Sequence, residues 1–195
     1  AGVAPRDPGL DAQAERAAIA LGQALEKKGA VDLGSPPLPD TVDGVDSILA
    51  GLVAAAKTKY LEGDFAGALD KSTDATSRFE GVDAFRTGPA WSSYADALFV
   101  RAMAQRRLNK DADSDASLAA IAAAMPKATP DPGFVPPKVA MKHASLVDEL
   151  HQKPPVTIEI ASTPPGADVV VDGVSHGKAP VAVSDLLPGT HYVAL

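Results

Sequence analysis

The spacing of apolar residues changes once along this chain, at Pro154-Pro155-Val156, and that change limits the fold more than any other feature. Before it, apolar residues recur every three or four positions, the period of a helix buried along one stripe. After it, Val156-Thr157-Ile158-Glu159-Ile160 alternates, the period of a half-buried strand. The expected fold is therefore mainly α with a small C-terminal β domain: a helical domain over 11–151 and a β domain over 155–195.

Within the helical part, helices are expected over 11–28, 47–62, 65–80, 90–108, 112–124 and 138–151. Residues 1–10 hold Pro5 and Pro8 and are expected as a frayed lead-in. Asp11 and Asp46 are expected to cap helix starts, and Gly29 to close the first helix. Ala30-Val31-Asp32-Leu33 is compatible with a short strand, and Pro36, Pro37 and Pro39 with a loop. Gly63-Asp64 and Asn109-Lys110 read as turns, and 81–89 as a loop with Gly81, Gly88 and Pro89. Five prolines and a glycine make 126–137 a stiff non-helical link.

In the β part, strands are expected near 156–160, 167–172, 181–183 and 191–195. Turn signals separate them: Pro164-Pro165-Gly166, Asp172-Gly173, Gly177 and Pro188-Gly189.

Composition excludes several functions. Apolar residues make up 46% and aromatics only 5%, with much of the apolar share alanine. Alanine buries little area, so stability must come from close helix–helix approach. The net charge of -7 offers no basic stripe for nucleic acid. The densest basic cluster, Arg101, Arg106, Arg107 and Lys110, runs straight into Asp111, Asp113 and Asp115. No nucleic-acid partner is expected. The absence of cysteine removes disulfides, thiolate metal sites, thiol nucleophiles and the acylated cysteine of a lipoprotein. The longest apolar run, 48–56, is too short to span a membrane. The start at Ala1-Gly2-Val3 reads as a mature or trimmed product.

Two resemblances follow from particular residues. Residues 52–80 carry Ala56, Tyr60 one turn on, Gly63-Asp64-Phe65 at the turn, then Ala68 and Ala75. Residues 90–126 repeat this loosely, with Ala102, Leu108-Asn109-Lys110, Leu118 and Pro126. This part resembles a degenerate tetratricopeptide repeat (TPR), in which antiparallel helices meet through small residues. Ser114 stands where that repeat usually has alanine, and the loop at 81–89 breaks its period. A generic antiparallel helical bundle is the alternative.

The C-terminal part carries Ser162, Pro164-Pro165-Gly166-Ala167, Val169-Val170-Val171-Asp172-Gly173, Gly177, Pro180 and Leu187-Pro188-Gly189-Thr190-His191-Tyr192-Val193. Their order resembles the PEGA domain, with Pro165 in place of the naming glutamate. The resemblance implies an antiparallel β-sandwich of bacterial surface or periplasmic proteins, without catalysis, that binds polysaccharide or protein. Its motif residues would shape turns: Pro164, Gly166 and Ala167 between two strands, Asp172-Gly173 in a tight hairpin, Gly177 and Pro180 in the return loop, and Pro188-Gly189 at the start of the last hairpin strand. The family pattern continues past this point, so the resemblance implies a domain cut short at Leu195 and an open sheet edge.

Three patterns come near catalytic or metal-binding motifs. Gly173-Val174-Ser175-His176-Gly177 matches the nucleophile-elbow pattern, but that elbow needs a strand followed by a helix. Lys178-Ala179-Pro180 and a strand follow here, so a hairpin turn is expected and Ser175 is not read as a nucleophile. Asp111, Asp113 and Asp115 begin like a calcium loop, but Ala116 and Ala122 occupy its glycine and glutamate positions. His143, His151, His176 and His191 form no ligand motif and read as surface residues, although His143 and His151 stand two helical turns apart. Tyr60, Phe65 and Phe79 read as core. Trp91 stands at a helix start beside Ser92, Ser93 and Tyr94, where it could cover the end of the core or sit in a partner groove, so Trp91 and Tyr94 are candidate partner contacts.

The expected function is a non-enzymatic binding or assembly protein of the bacterial envelope, in the periplasm or outer envelope. No cofactor or metal is expected. Partners would be proteins, through a helical groove or a β edge, or polysaccharide such as peptidoglycan. The alternatives are a structural subunit of a motility or secretion machine and a cell-wall hydrolase, which would need two carboxylates flanking a cleft.

Overall fold

The computed structural model describes residues 42–80 and 88–195. Five helices come first: α1 (Val42–Leu61), α2 (Phe65–Glu80), α3 (Gly88–Arg107), α4 (Asp111–Ala124) and α5 (Pro137–His151). Five short strands follow: β1 (Val156–Ile160), β2 (Asp168–Val171), β3 (Val174–Lys178), β4 (Val181–Leu186) and β5 (Val193–Ala194). The chain is mainly α with a small antiparallel C-terminal β part. The expected lead-in, the helix over 11–28, the strand at 30–33 and the proline loop at 36–39 lie outside the described residues, as does most of the loop expected over 81–89.

Leu49, Val53 and Ala56 are buried at the spacing of a single stripe, which turns α1 inward. The helix starts at Val42, earlier than expected, so Asp46 lies inside it rather than capping it. The helix includes Gly44, and a helical glycine costs only about 1 kcal/mol against alanine. In the same way Gly88 and Pro89 open α3 instead of belonging to the loop. Proline suits the first turn of a helix, where its missing N–H has no partner to lose.

Between α1 and α2, Gly63 takes a positive φ of 82°. Asp64 Oδ1 then accepts the Gly67 N–H at 2.9 Å and caps α2. That bond, then the Lys59 ammonium at 3.2 Å, holds the Asp64 carboxyl below its ordinary value. Ala56 and Ala68 are both fully buried, in one cluster with Val100 and Ala104 of α3. Four small or slender side chains at one crossing let three helices approach closely, which an alanine-rich chain with few aromatics requires.

Helix α3 is the central element. It packs on α1, α2 and α4. Tyr94, Ala97, Leu98, Phe99, Val100, Ala102 and Met103 are buried around its circumference, as expected for a helix with no solvent face along much of its length. At the start of α4, Asp115 pairs with Arg106 at 3.0 Å and Lys142 at 3.7 Å. Among the described residues no group of three His, Cys, Asp or Glu is placed to hold a metal, and no helix is long and apolar enough to cross a membrane.

The β part forms two sheets, β1-β4 and β3-β2-β5, all antiparallel. Ile160, Val169, Val171, Ala179 and Val183 share its core. The Pro164-Ala167 turn lies between two strands, as expected, and carries the chain from one sheet to the other. Two sequence expectations are corrected here. The stretch after Gly173 is not a turn: Val174–Lys178 is strand β3, and Gly177 lies inside it with φ 88°, near a bulge in its pairing with β2. Pro188-Gly189 opens no hairpin, because β5 pairs with β2 rather than β4. A two-residue turn at Asp172-Gly173, φ 49° and 78°, closes the β2–β3 hairpin as a type I′ turn, leaving Val174 onward free to be a strand.

His143 corrects the expectation of surface histidines. It is buried at 4% exposure, its ring 5.3 Å from Phe99, and among the described residues Nε2 has no hydrogen-bond partner. His151, two turns on, is exposed and bonds the Val147 carbonyl at 2.8 Å. Burial pushes the His143 imidazole below its ordinary value. The unfolded chain then binds a proton that the folded chain refuses. Stability is full above the unfolded value of about 6.5 and falls as pH drops below it. Urea unfolding at pH 7.5 and pH 5.0 should show this loss in the wild type, and a smaller loss in His143→Leu; equal losses would contradict it.

Candidate functional site

The helical and β parts meet through aromatic side chains. Phe79 of α2 stacks on Tyr94 of α3 at 4.1 Å and meets Trp91 edge-on at 5.0 Å. Tyr192, just before β5, enters this cluster edge-to-face with Phe79, Trp91 and Tyr94, at 6.4, 5.8 and 5.6 Å. The Tyr94 and Tyr192 hydroxyls are in hydrogen-bond contact. Both hydroxyls also reach Glu80 Oε1, which accepts from Tyr94 at 2.8 Å and from Tyr192 at 3.3 Å. Burial first, and for Tyr94 the bond with Tyr192 next, push both phenols above their ordinary value, so both stay neutral donors.

Trp91 and Tyr94 were candidates for contact with another molecule, with the end of the core as the alternative for Trp91. At 8% and 2% exposure they are core residues. The partner of Tyr94 is Tyr192 of the same chain. The sequence reading placed both residues at a helix start, where a partner and an internal strand would use the same aromatic faces.

Asp172 fixes Tyr192 in place. Its N–H donates to the Tyr192 carbonyl and its Oδ1 accepts the Tyr192 N–H, both at 2.9 Å. Its Oδ2 faces His191 Nδ1 at 2.6 Å, while His191 Nε2 faces the Leu187 carbonyl at 2.5 Å. The Nε2 that would take a proton from a hydroxyl is occupied by a backbone carbonyl. Ser175 lies exposed on a strand, without the strand-to-helix turn that an elbow needs.

Two motif glycines serve the same junction. A Cβ on Gly173 would overlap Nε1 and Cδ1 of Trp91, and one on Gly189 would overlap the Cβ of Ala123 on α4. The turns of the β part thus rest directly on α3 and α4. The other motif residues hold the β part itself. Gly166, φ 101°, donates its N–H to the Ala179 carbonyl at 2.9 Å, and the Ala167 carbonyl accepts the Ala179 N–H at 2.8 Å. These bonds tie the Pro164-Ala167 turn to the Ala179-Pro180 corner. Ser162 Oγ donates to the Pro164 carbonyl at 2.8 Å.

Beside the junction lies a groove of about 590 Å³. Trp91, Ala95 and Asp96 of α3 line one side, with Ala123 to Thr129, Pro126 among them, at the end of α4. Val171, Asp172, Val174, His176, Asp185, Leu186, Leu187 and His191 of the β part line the other. The volume falls within the range of small-ligand and peptide clefts, roughly 300–1,000 Å³. Two of its acids are already paired: Asp96 with Lys57 at 2.7 Å and Asp172 with His191. Asp185 has φ 63°, and its carboxylate accepts the Ser184 hydroxyl at 2.9 Å. Sequence reasoning missed Tyr192, the His191–Asp172 pair and this groove. The available signal was a tyrosine in a short terminal strand with a glycine turn before it, which marks a strand that packs on something large.

The PEGA domain model matches residues 156–195, the whole of the β part. No curated protein and no solved structure matches the chain.

Gly173→Ala should destabilise the fold twice over, by the left-handed backbone and by the overlap with Trp91, together about 2–4 kcal/mol. In a Trp91→Ala background only the backbone part, about 1–2 kcal/mol, should remain. Denaturant unfolding of the four proteins measures the difference; an unchanged Gly173→Ala penalty would show that the turn does not bear on the indole.

Proposed function

We propose that this chain is a non-enzymatic binding or assembly protein of a bacterial cell envelope. In this reading the helices form a degenerate tetratricopeptide pair of pairs that takes a protein partner, and the PEGA domain provides surface attachment. The observation that carries it is the groove of about 590 Å³ framed jointly by α3, the end of α4 and the β part. A cleft built from two structural units joined by a buried aromatic contact is held in one shape, and preformed shape is what a binding site needs.

Several features support the finer points. The fully buried Ala56 and Ala68 cross beside Val100 and Ala104, as small residues do between tetratricopeptide helices. The PEGA match supports an extracytoplasmic, surface or binding role. The engaged Nε2 of His191 and the strand position of Ser175 favour binding over hydrolysis.

Chemical cross-linking of the purified 195-residue chain in a bacterial envelope extract tests the proposal, together with co-sedimentation on peptidoglycan. The expected result is a discrete protein adduct through the groove face, or retention on the sacculus, without release of soluble glycan. Release of soluble muropeptides by the purified chain, or neither adduct nor retention, would contradict it.

A further inference from the structure

We propose that the free edge of β3 is a docking strand, to which an extended segment of a partner polypeptide adds along the groove. This rests on the binding reading above and names the partner's chemistry.

Among the described residues, strand β3 is paired on one side only, with β2. All of its residues are exposed except His176, which is half-buried. The hairpin geometry identifies the backbone groups that face outward. Val171 and Val174 flank a two-residue turn and exchange both ladder bonds. The next pair, Val170 and Ser175, does not, so the Ser175 N–H and carbonyl point away from β2. Ser175 therefore offers a donor and an acceptor to a new strand.

Proteins blunt exposed edges with lysine and bulges. Both devices sit at the far end of β3: Lys178, tied to Asp168 at 2.9 Å, and the bulge near Gly177. The near end has neither. It has Val174, 59% exposed, a valine on the rim of the groove. Val174 and His176 alternate toward the groove, where every second side chain of an added strand would also enter.

Charge and shape choose the occupant. Sugar recognition uses an open aromatic face, but Trp91 is 8% exposed and Gly173 covers its indole edge. A second copy of the chain would bring another charge of -7 against the first, which opposes association. Asp185 on the groove wall forms no ion pair among the described residues and is open to a cation. The fitting partner is an extended segment of alternating apolar side chains with at least one basic residue.

The probe is a library of acetylated, amidated octapeptides alternating Val, Ile or Leu with Thr or Lys, titrated against the full chain. Trp91, the single tryptophan, reports binding by fluorescence, and hydrogen exchange reports the site. We expect saturable binding with new protection at Ser175. Ser175→Pro removes the outward N–H without touching the ladder, and Val174→Lys charges the edge; each should weaken binding about tenfold or more. Ser175→Ala should bind like the wild type, since only the backbone is used. Circular dichroism checks that the variants remain folded, and protection in the wild type stands independently of them. The proposal is overturned if no library member binds, if Ser175→Pro binds as well as the wild type, or if protection appears elsewhere. It is also overturned if the edge is instead occupied by a second copy, seen as wild-type dimerisation that Ser175→Pro abolishes. An envelope adduct that forms equally with Val174→Lys and Ser175→Pro would defeat this inference alone and leave the binding reading standing.

Discussion

The aromatic ring of Tyr192 closes the helical core from outside the helices. Phe79, Trp91 and Tyr94 pack together in the helical part, and Tyr192 packs edge-to-face against all three. The β part positions Tyr192 through the two bonds between Asp172 and the Tyr192 backbone, the His191 ring on the same carboxylate, and the pairing of β5 with β2, while the hydroxyl meets Tyr94 and Glu80 of the helical part. An aromatic pair contributes about 0.5–1.5 kcal/mol beyond its buried area, and several meet here at once. The junction is therefore a piece of core shared by two units, and the groove beside it takes its shape from that sharing.

Alanine makes the rest workable. With little area available per side chain, the helices must lie close, and Ala56, Ala68 and Ala104 permit it. The same logic extends to the junction, where absent side chains do the work. Gly173 and Gly189 let the turns of the β part touch Trp91 and Ala123. A residue type chosen for its backbone at a turn thus also sets a distance between units.

Much of the fold was legible in the sequence, and the gaps have physical causes. The change of apolar period at Val156 located the switch from helix to strand, because period is a property of each segment alone. The helices at 65–80 and 112–124 were read closely, since Gly63-Asp64, Asn109-Lys110 and Pro126 mark their ends chemically. Strand β3 was missed because Val174-Ser175-His176 alternates too briefly and lies between two glycines. The pairing of β5 with β2 was missed because strand partners are set by contacts distant in sequence. Tyr192 was read as a motif residue, and Trp91 and Tyr94 as candidate contacts for another molecule. All three readings lacked the one fact sequence could not supply, that these residues face each other across 98 positions.

Coincidence of unfolding tests the shared core most directly. Trp91 fluorescence follows the junction, far-ultraviolet circular dichroism follows the helices, and amide signals of Val169 and Val171 follow the sheet. If Tyr192 makes the two parts one cooperative unit, all three probes should give the same denaturant midpoint and steepness. A β-part transition at lower denaturant, with the helices and Trp91 unfolding later and unaffected, would contradict the account.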